Sequence, residues 1–215
     1  MMTRYQTVTG RAKWCTYGLI ACIGLDVMSI SLNLLYVMGP TDENKLLVEF
    51  ASLIVYIGNW LVYIVTVVLF LRWLHLSFKN AEGFGTVGMK FTAYWAVCWW
   101  FVPLFWLWKP LEATKELWRT TDPSCDLQTW KDAPVPIIMT LWWIAWVMCN
   151  IIGNASFQKI MRGDPSNLAV QEMAGLATSL FSILAAACLI RIVKQITSRQ
   201  ERKAAFMGID RSESY

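Results

Sequence analysis

A single histidine, His75, stands among 215 residues. That leaves no basis for a histidine-rich metal or haem site within the chain. The six cysteines (Cys15, Cys22, Cys98, Cys125, Cys149 and Cys188) are scattered singly, with no C-x-x-C and no Cys/His cluster, and five of them lie in apolar segments. They read as small packing residues rather than ligands. A phosphate-binding Walker loop, a zincin motif, a nucleophile elbow and a Ser/His/Asp grouping are all missing, so no catalytic residue and no cofactor is expected. Charge is scarce too. Only 16% of the residues are Asp, Glu, Lys or Arg, and the net charge of +4 is spread over short loops and tails rather than one face, which gives no case for nucleic acid.

What is abundant is apolar surface: 56% of residues are hydrophobic, outside the usual soluble balance. They fall in runs near the roughly 20 residues that a helix needs to cross about 30 Å of hydrocarbon. The expected fold is an all-α polytopic membrane protein, a single integral membrane domain over residues 1–215 with five hydrophobic segments at about 14–38, 46–74, 88–108, 136–155 and 168–192. The lipid bilayer is therefore its first partner. A turn of Gly39, Pro40, Thr41, Asp42, Glu43 and Asn44 makes the first two segments antiparallel neighbours. An amphipathic interfacial helix is expected over about 109–120, where Leu111, Leu117 and Trp118 alternate with Glu112, Lys115, Glu116 and Arg119. The loop Asp122 to Pro136 carries three prolines and should be irregular; a basic tail covers 193–215.

The third segment holds Trp95, Trp99, Trp100, Trp106 and Trp108 and is interrupted by Pro103, which removes a helical hydrogen bond. Its course decides the topology. Five crossings with the N-terminus inside leave eight Lys/Arg inside and eleven outside, against the positive-inside tendency. If the third segment is instead broken or re-entrant, only Lys45, Lys159 and Arg162 of the nineteen cations are outside. Four crossings suit the charges better, although the segment is apolar enough to span. The N-terminus is expected on the cytoplasmic side.

Inside the apolar runs, polar residues line up. Cys22, Asp26, Ser29, Asn33 and Tyr36 share one face of the first helix, and Glu49, Ser52, Tyr56, Asn59, Tyr63 and Thr66 one face of the second. Antiparallel alignment puts Asp26 level with Asn59, Asn33 near Ser52, and Tyr36 near Glu49. Asp26 is the costliest of these, about 3 kcal/mol at a helix centre on insertion scales. It either fixes the packing of two helices or lies on a proton or cation pathway. Glu172, near the start of the last segment, reads like Glu49 as a carboxylate at a helix N-terminus. Gly175, Ser179, Ser182 and Ala186 form a small-residue stripe suited to close packing, within the chain or with a membrane protein partner or a second copy.

One block is family-specific. Phe70-Leu71-Arg72-Trp73-Leu74 with Lys79-Asn80-Ala81, Trp95 to Trp100, Phe101-Val102-Pro103, and Leu107-Trp108-Lys109-Pro110 with Glu116-Leu117-Trp118-Arg119 resemble the bacterial membrane family catalogued as domain of unknown function 4328. With Trp142-Trp143 and Ile192 to Gln200, the resemblance covers about residues 65–200. The family positions that carry over are Trp73, Asn80, Trp100, Pro103, Lys109, Pro110, Glu116 and Trp118. The sequence departs from the pattern at His75, Leu76 and Trp106. The resemblance implies a protein of the bacterial cytoplasmic membrane and supplies no substrate, cofactor or catalytic residue. With minimal loops and no catalytic grouping, the leading role is a non-enzymatic subunit or scaffold; a small channel or proton-coupled transporter around Asp26 and Asn59 is the alternative.

Overall fold

Apolar runs flanked by polar turns give long helices, and the computed structural model contains four of them with the length and composition to cross a membrane. It describes residues 5–39, 41–123, 130–161, 168–209 and 211–212. Arg4, Pro40, Cys125 with the centre of the Asp122 to Pro136 loop, and Arg162 lie outside the described residues. The helices are α1 (Thr9–Val37), α2 (Asp42–Gly83), α3 (Ala93–Cys98), α4 (Lys109–Thr120), α5 (Ile138–Met161) and α6 (Leu168–Phe206). Residues Tyr5–Gln6 pair with Arg211–Ser212 as a two-residue parallel ladder.

Two helices run far past their apolar segments. At 1.5 Å per residue, the 42 residues of α2 and the 39 of α6 extend about 63 and 59 Å, roughly twice the hydrocarbon thickness. The stretch read as a basic tail is therefore helical to Phe206. It stops where a Schellman motif forms: Gly208 adopts φ +63°, its N–H reaches Ala205 O, the Ile209 N–H reaches Ala204 O, and Ile209 packs on Ala204.

The third segment is not a long helix. It is helical only over Ala93–Cys98, started by the Thr92 hydroxyl accepting from the Trp95 N–H, and the helix ends five residues before Pro103. Pro103 instead opens a γ-turn: Leu104 takes φ +66° and ψ −47°, and the Phe105 N–H reaches Pro103 O at 2.8 Å. A short 3-10 turn, Phe105–Leu107, leads into α4, whose first turn holds Pro110.

Two compact units divide the chain. One comprises residues 18–66 and 141–188, the other 1–17, 67–140 and 189–215. In the first, the apolar residues Ile20, Met28, Leu53, Ile57, Leu61, Ile144, Leu180 and Leu184 are exposed, as lipid-facing helices require. The second has a conventional core of Trp73, Leu74, Phe78, Leu117, Ile192 and Ile196, all fully buried. Helix α4 belongs to it: Ala113, Thr114, Leu117 and Thr120 are covered by the chain itself, so its apolar face is satisfied by protein.

Candidate functional site

In the first unit the polar stripes converge. Asn59 donates to Asp26 Oδ1 at 3.0 Å, as the antiparallel alignment anticipates, and Ser182 on α6 flanks the same carboxylate. Asp26 is 5% exposed, and its Oδ2 is buried without a hydrogen-bond partner among the described residues. One turn away Cys22 Sγ lies 3.6 Å from Thr66 Oγ1. Gly18 makes this level possible, since a Cβ there would sit 2.6 Å from Thr66 Oγ1.

Further along α1 the pairing differs from the sequence expectation. Asn33 bonds Glu172 on α6, not Ser52, which turns back to Val48 O on its own helix. A carboxylate accepts more strongly than a hydroxyl that its own helix already satisfies. Glu49, Ser52 and Tyr56 are exposed, so the α2 stripe turns inward at Asn59 and Thr66. The small-residue stripe is used within the chain: Ser179 and Ala186 are buried, and a Cβ on Gly175 would lie 3.7 Å from Asn33 Nδ2.

In the second unit, side chains from both ends and the middle of the chain are tied together. Asn80 clamps Gln6 in strand fashion, accepting from its N–H at 3.2 Å and donating to its carbonyl at 2.8 Å. Trp73 Nε1 donates to Thr197 Oγ1 at 3.1 Å, Gln200 Nε2 to Ser77 O at 2.8 Å, and the Thr9 hydroxyl to Glu201. Lys203, almost fully buried, donates to Thr120 O at 2.7 Å, placing its charge at the negative C-terminal end of α4. Arg199 pairs with Asp122 at 2.5 Å and lies 4.0 Å over the Trp118 ring, while Trp118 Nε1 donates to Pro134 O.

Glu116 is the buried carboxylate of this unit. Its Oε1 accepts from the backbone N–H groups of Lys90 and Phe91 at 3.0 and 2.9 Å, which fixes the approach to α3. Burial pushes its carboxyl above the usual glutamate range, and those two N–H groups pull the other way. Glu82 does the same work at the start of α3, accepting from the Ala93 N–H at 2.8 Å. Trp100 packs edge-on against Phe70 at 5.4 Å, and Lys109 pairs with Glu112 and lies over Phe91. Around Pro103 the turn exposes its apolar side chains, with Tyr94 at 67%, Phe101 at 71% and Leu104 at 70%.

The family described as Domain of unknown function (DUF4328) matches residues 41–198. The chain belongs to this family. No curated protein and no solved structure matches it. The DUF4328 span begins at the start of α2, so it includes Asn59 and Glu49 as well as the Trp/Pro block, and it runs wider than the resemblance read from residues 65 onward. Helix α1 with Asp26 and Asn33 precedes it, and Arg199, Gln200 and Lys203 follow it. Those last three, with Ser77, Glu82 and Asp122, are the side chains that sequence reasoning missed. Apart from Glu82, whose partner Ala93 is 11 positions on, each of them finds its partner more than 70 positions away.

Proposed function

We propose that the chain is a non-enzymatic integral membrane subunit or scaffold of the bacterial cytoplasmic membrane, folded as one integral domain. It crosses four times, with both ends and the third segment on the cytoplasmic side. One observation carries the topology: Gln6 bonds Asn80, Asp122 pairs with Arg199, and Thr120 accepts from Lys203. Those bonds draw the N-terminal residues, the connection after α2 and the end of α6 into one unit, which supports an even number of crossings between them. Sixteen of the nineteen cations are then inside. The exposed aromatic turn around Phe101 and Leu104 supports a docking role, for a membrane partner or a second copy.

The test is single-cysteine labelling in sealed vesicles, in a background without the native cysteines. Val87→Cys and Asp132→Cys should react from one side and Met38→Cys from the other. Reaction of the first two from opposite sides removes the four-crossing topology. Extraction in mild detergent then addresses the scaffold role, and a lone monomer counts against it.

A second reading, a small channel or proton-coupled transporter, draws on Asp26 Oδ2 and Asn33 Oδ1, buried and without a partner among the described residues. Liposome flux abolished by Asp26→Asn would favour it; no flux in either form disposes of it.

A further inference from the structure

The three helices that enter the second unit carry cations at one level and no acids. Thr9 bonded to Glu201 and Trp73 bonded to Thr197 set the registers of α1, α2 and α6. On those registers Arg11, Lys13, Arg72, Arg191 and Lys194 lie within about 12 Å along the helix axes. No Asp or Glu occurs before Asp26 in α1, between Glu49 and Glu82 in α2, or between Glu172 and Glu201 in α6. Glu201, the nearest in sequence, is engaged by the Thr9 hydroxyl.

Two members of this girdle are level on neighbouring helices: Gly18 meets Thr66, and seven residues back in α1 and six on in α2 stand Arg11 and Arg72. The guanidinium groups of Arg11 and Arg72 are close enough to repel, and neither has a hydrogen bond or an ion pair among the described residues. Arg11 is half-exposed and Arg72 exposed, so both are accessible. Two adjacent cations with no counter-charge are costly unless an anion joins them. Their surroundings say which anion. Trp14 and Tyr17 stand exposed just beyond Arg11, and Val65 and Val68 just before Arg72, so the pair sits where the exposed apolar face of each helix ends. Indole and phenol rings favour the headgroup level, and guanidinium groups bind phosphate oxygens in a bidentate fork.

We propose that Arg11 and Arg72 clamp the phosphate of an anionic phospholipid in the leaflet on their side of the membrane. The proposal rests on the reading of α1 and α2 as membrane-crossing helices. The bound headgroup replaces repulsion between the arginines with two charge-assisted contacts, and the acyl chains lie along the exposed apolar faces of α1 and α2. The anionic lipid thus joins the first helix to the family-defined part of the chain.

The full chain is reconstituted in vesicles of phosphatidylcholine alone and of equal parts phosphatidylcholine and phosphatidylglycerol, and its thermal midpoint is followed. The wild type should gain in the anionic vesicles, and Arg11→Gln with Arg72→Gln should lose the greater part of that gain. In phosphatidylcholine the same double variant should be as stable as the wild type or more so, because repulsion is relieved. That arm reports insertion and folding independently of headgroup charge, so a failure of the crossing helices is distinguishable from a failure of the clamp. Lys79→Gln with Lys115→Gln removes equal charge from exposed or half-exposed positions and should keep the gain. The proposal is overturned if the wild type shows no gain, if the control pair loses as much, or if the arginine variant is destabilised equally in both vesicles. An equal gain from glycerol 3-phosphate added to phosphatidylcholine vesicles overturns the lipid source in favour of a soluble phosphate.

Discussion

Asn59 donates its side-chain amide to Asp26 across the antiparallel pair α1 and α2, at 3.0 Å. This bond satisfies one oxygen of the most expensive side chain in the membrane segments and leaves the other buried. Asn59→Leu should therefore cost about 1–3 kcal/mol, the penalty for orphaning a buried polar group. The double variant Asp26→Leu with Asn59→Leu should cost less than Asn59→Leu alone. Reversible unfolding in bicelles measures the cycle, and the coupling should reach about 0.6 kcal/mol or more. Additive costs would show that the bond contributes nothing.

Gly18 and Gly24, on the same helix α1, should respond oppositely to the same change. Gly18→Ala drives a Cβ to 2.6 Å from Thr66 Oγ1, so helices α1 and α2 must separate, costing about 1–3 kcal/mol. Thr66→Ser, which removes the Cγ2 methyl at 3.2 Å, should recover part of it. A Cβ at Gly24 meets nothing within 4 Å, and Gly24→Ala should stabilise by up to about 1 kcal/mol. Equal effects at the two sites would contradict the packing described for α1 and α2.

Glu116 links stability to pH. Burial raises its carboxyl above the ordinary value of 4.5, despite the opposing N–H groups of Phe91 and Lys90. The folded state therefore holds this proton more tightly than the unfolded state. The contribution is complete below about 4.5 and is lost as pH rises through the raised value. Denaturation measured across that window should show stability falling with pH in the wild type and a shallower fall in Glu116→Gln. Glu116→Ala orphans the N–H groups of Lys90 and Phe91 and should cost more than Gln, with faster tryptic cleavage after Lys90.

Asn80→Ala removes both bonds to Gln6 and should free the N-terminal strand. Hydrogen exchange at the Gln6 amide is the direct readout, and protection there should fall by about tenfold or more, the equivalent of about 1.4 kcal/mol. Unchanged protection would mean that the ladder to Arg211–Ser212 holds the strand alone.

The four helices apolar enough to cross a membrane were legible because they are long apolar runs, and the Asp26 level because residues three and four apart share a helix face. Pro110 marked the start of α4 for an equally local reason. The continuation of α2 into Phe78, Lys79 and Asn80 was legible too, whereas the extension of α6 was not. Ser77, Asn80, Thr197, Gln200 and Lys203 look like solvated positions in one dimension, and only partners up to 124 positions away make them interior. Asn33 shows the same limit, since its partner is the carboxylate of Glu172, 139 positions on. The third segment lies between these cases: its Pro and Trp content marks an irregular path, while the γ-turn at Leu104 depends on geometry that composition does not encode.

The bond between Thr9 and Glu201 closes a loop of 192 positions. At roughly 5–20 residues per second of synthesis, the start of α1 waits about 10 to 40 seconds for its partner to be made. Through that interval Ser77 and Thr120 are also without theirs, Gln200 and Lys203, so the nascent protein carries an unfinished collar of polar groups. Its vulnerable form is thus an ordinary stage of every round of translation, and the last helix to be made acts as the closing bolt.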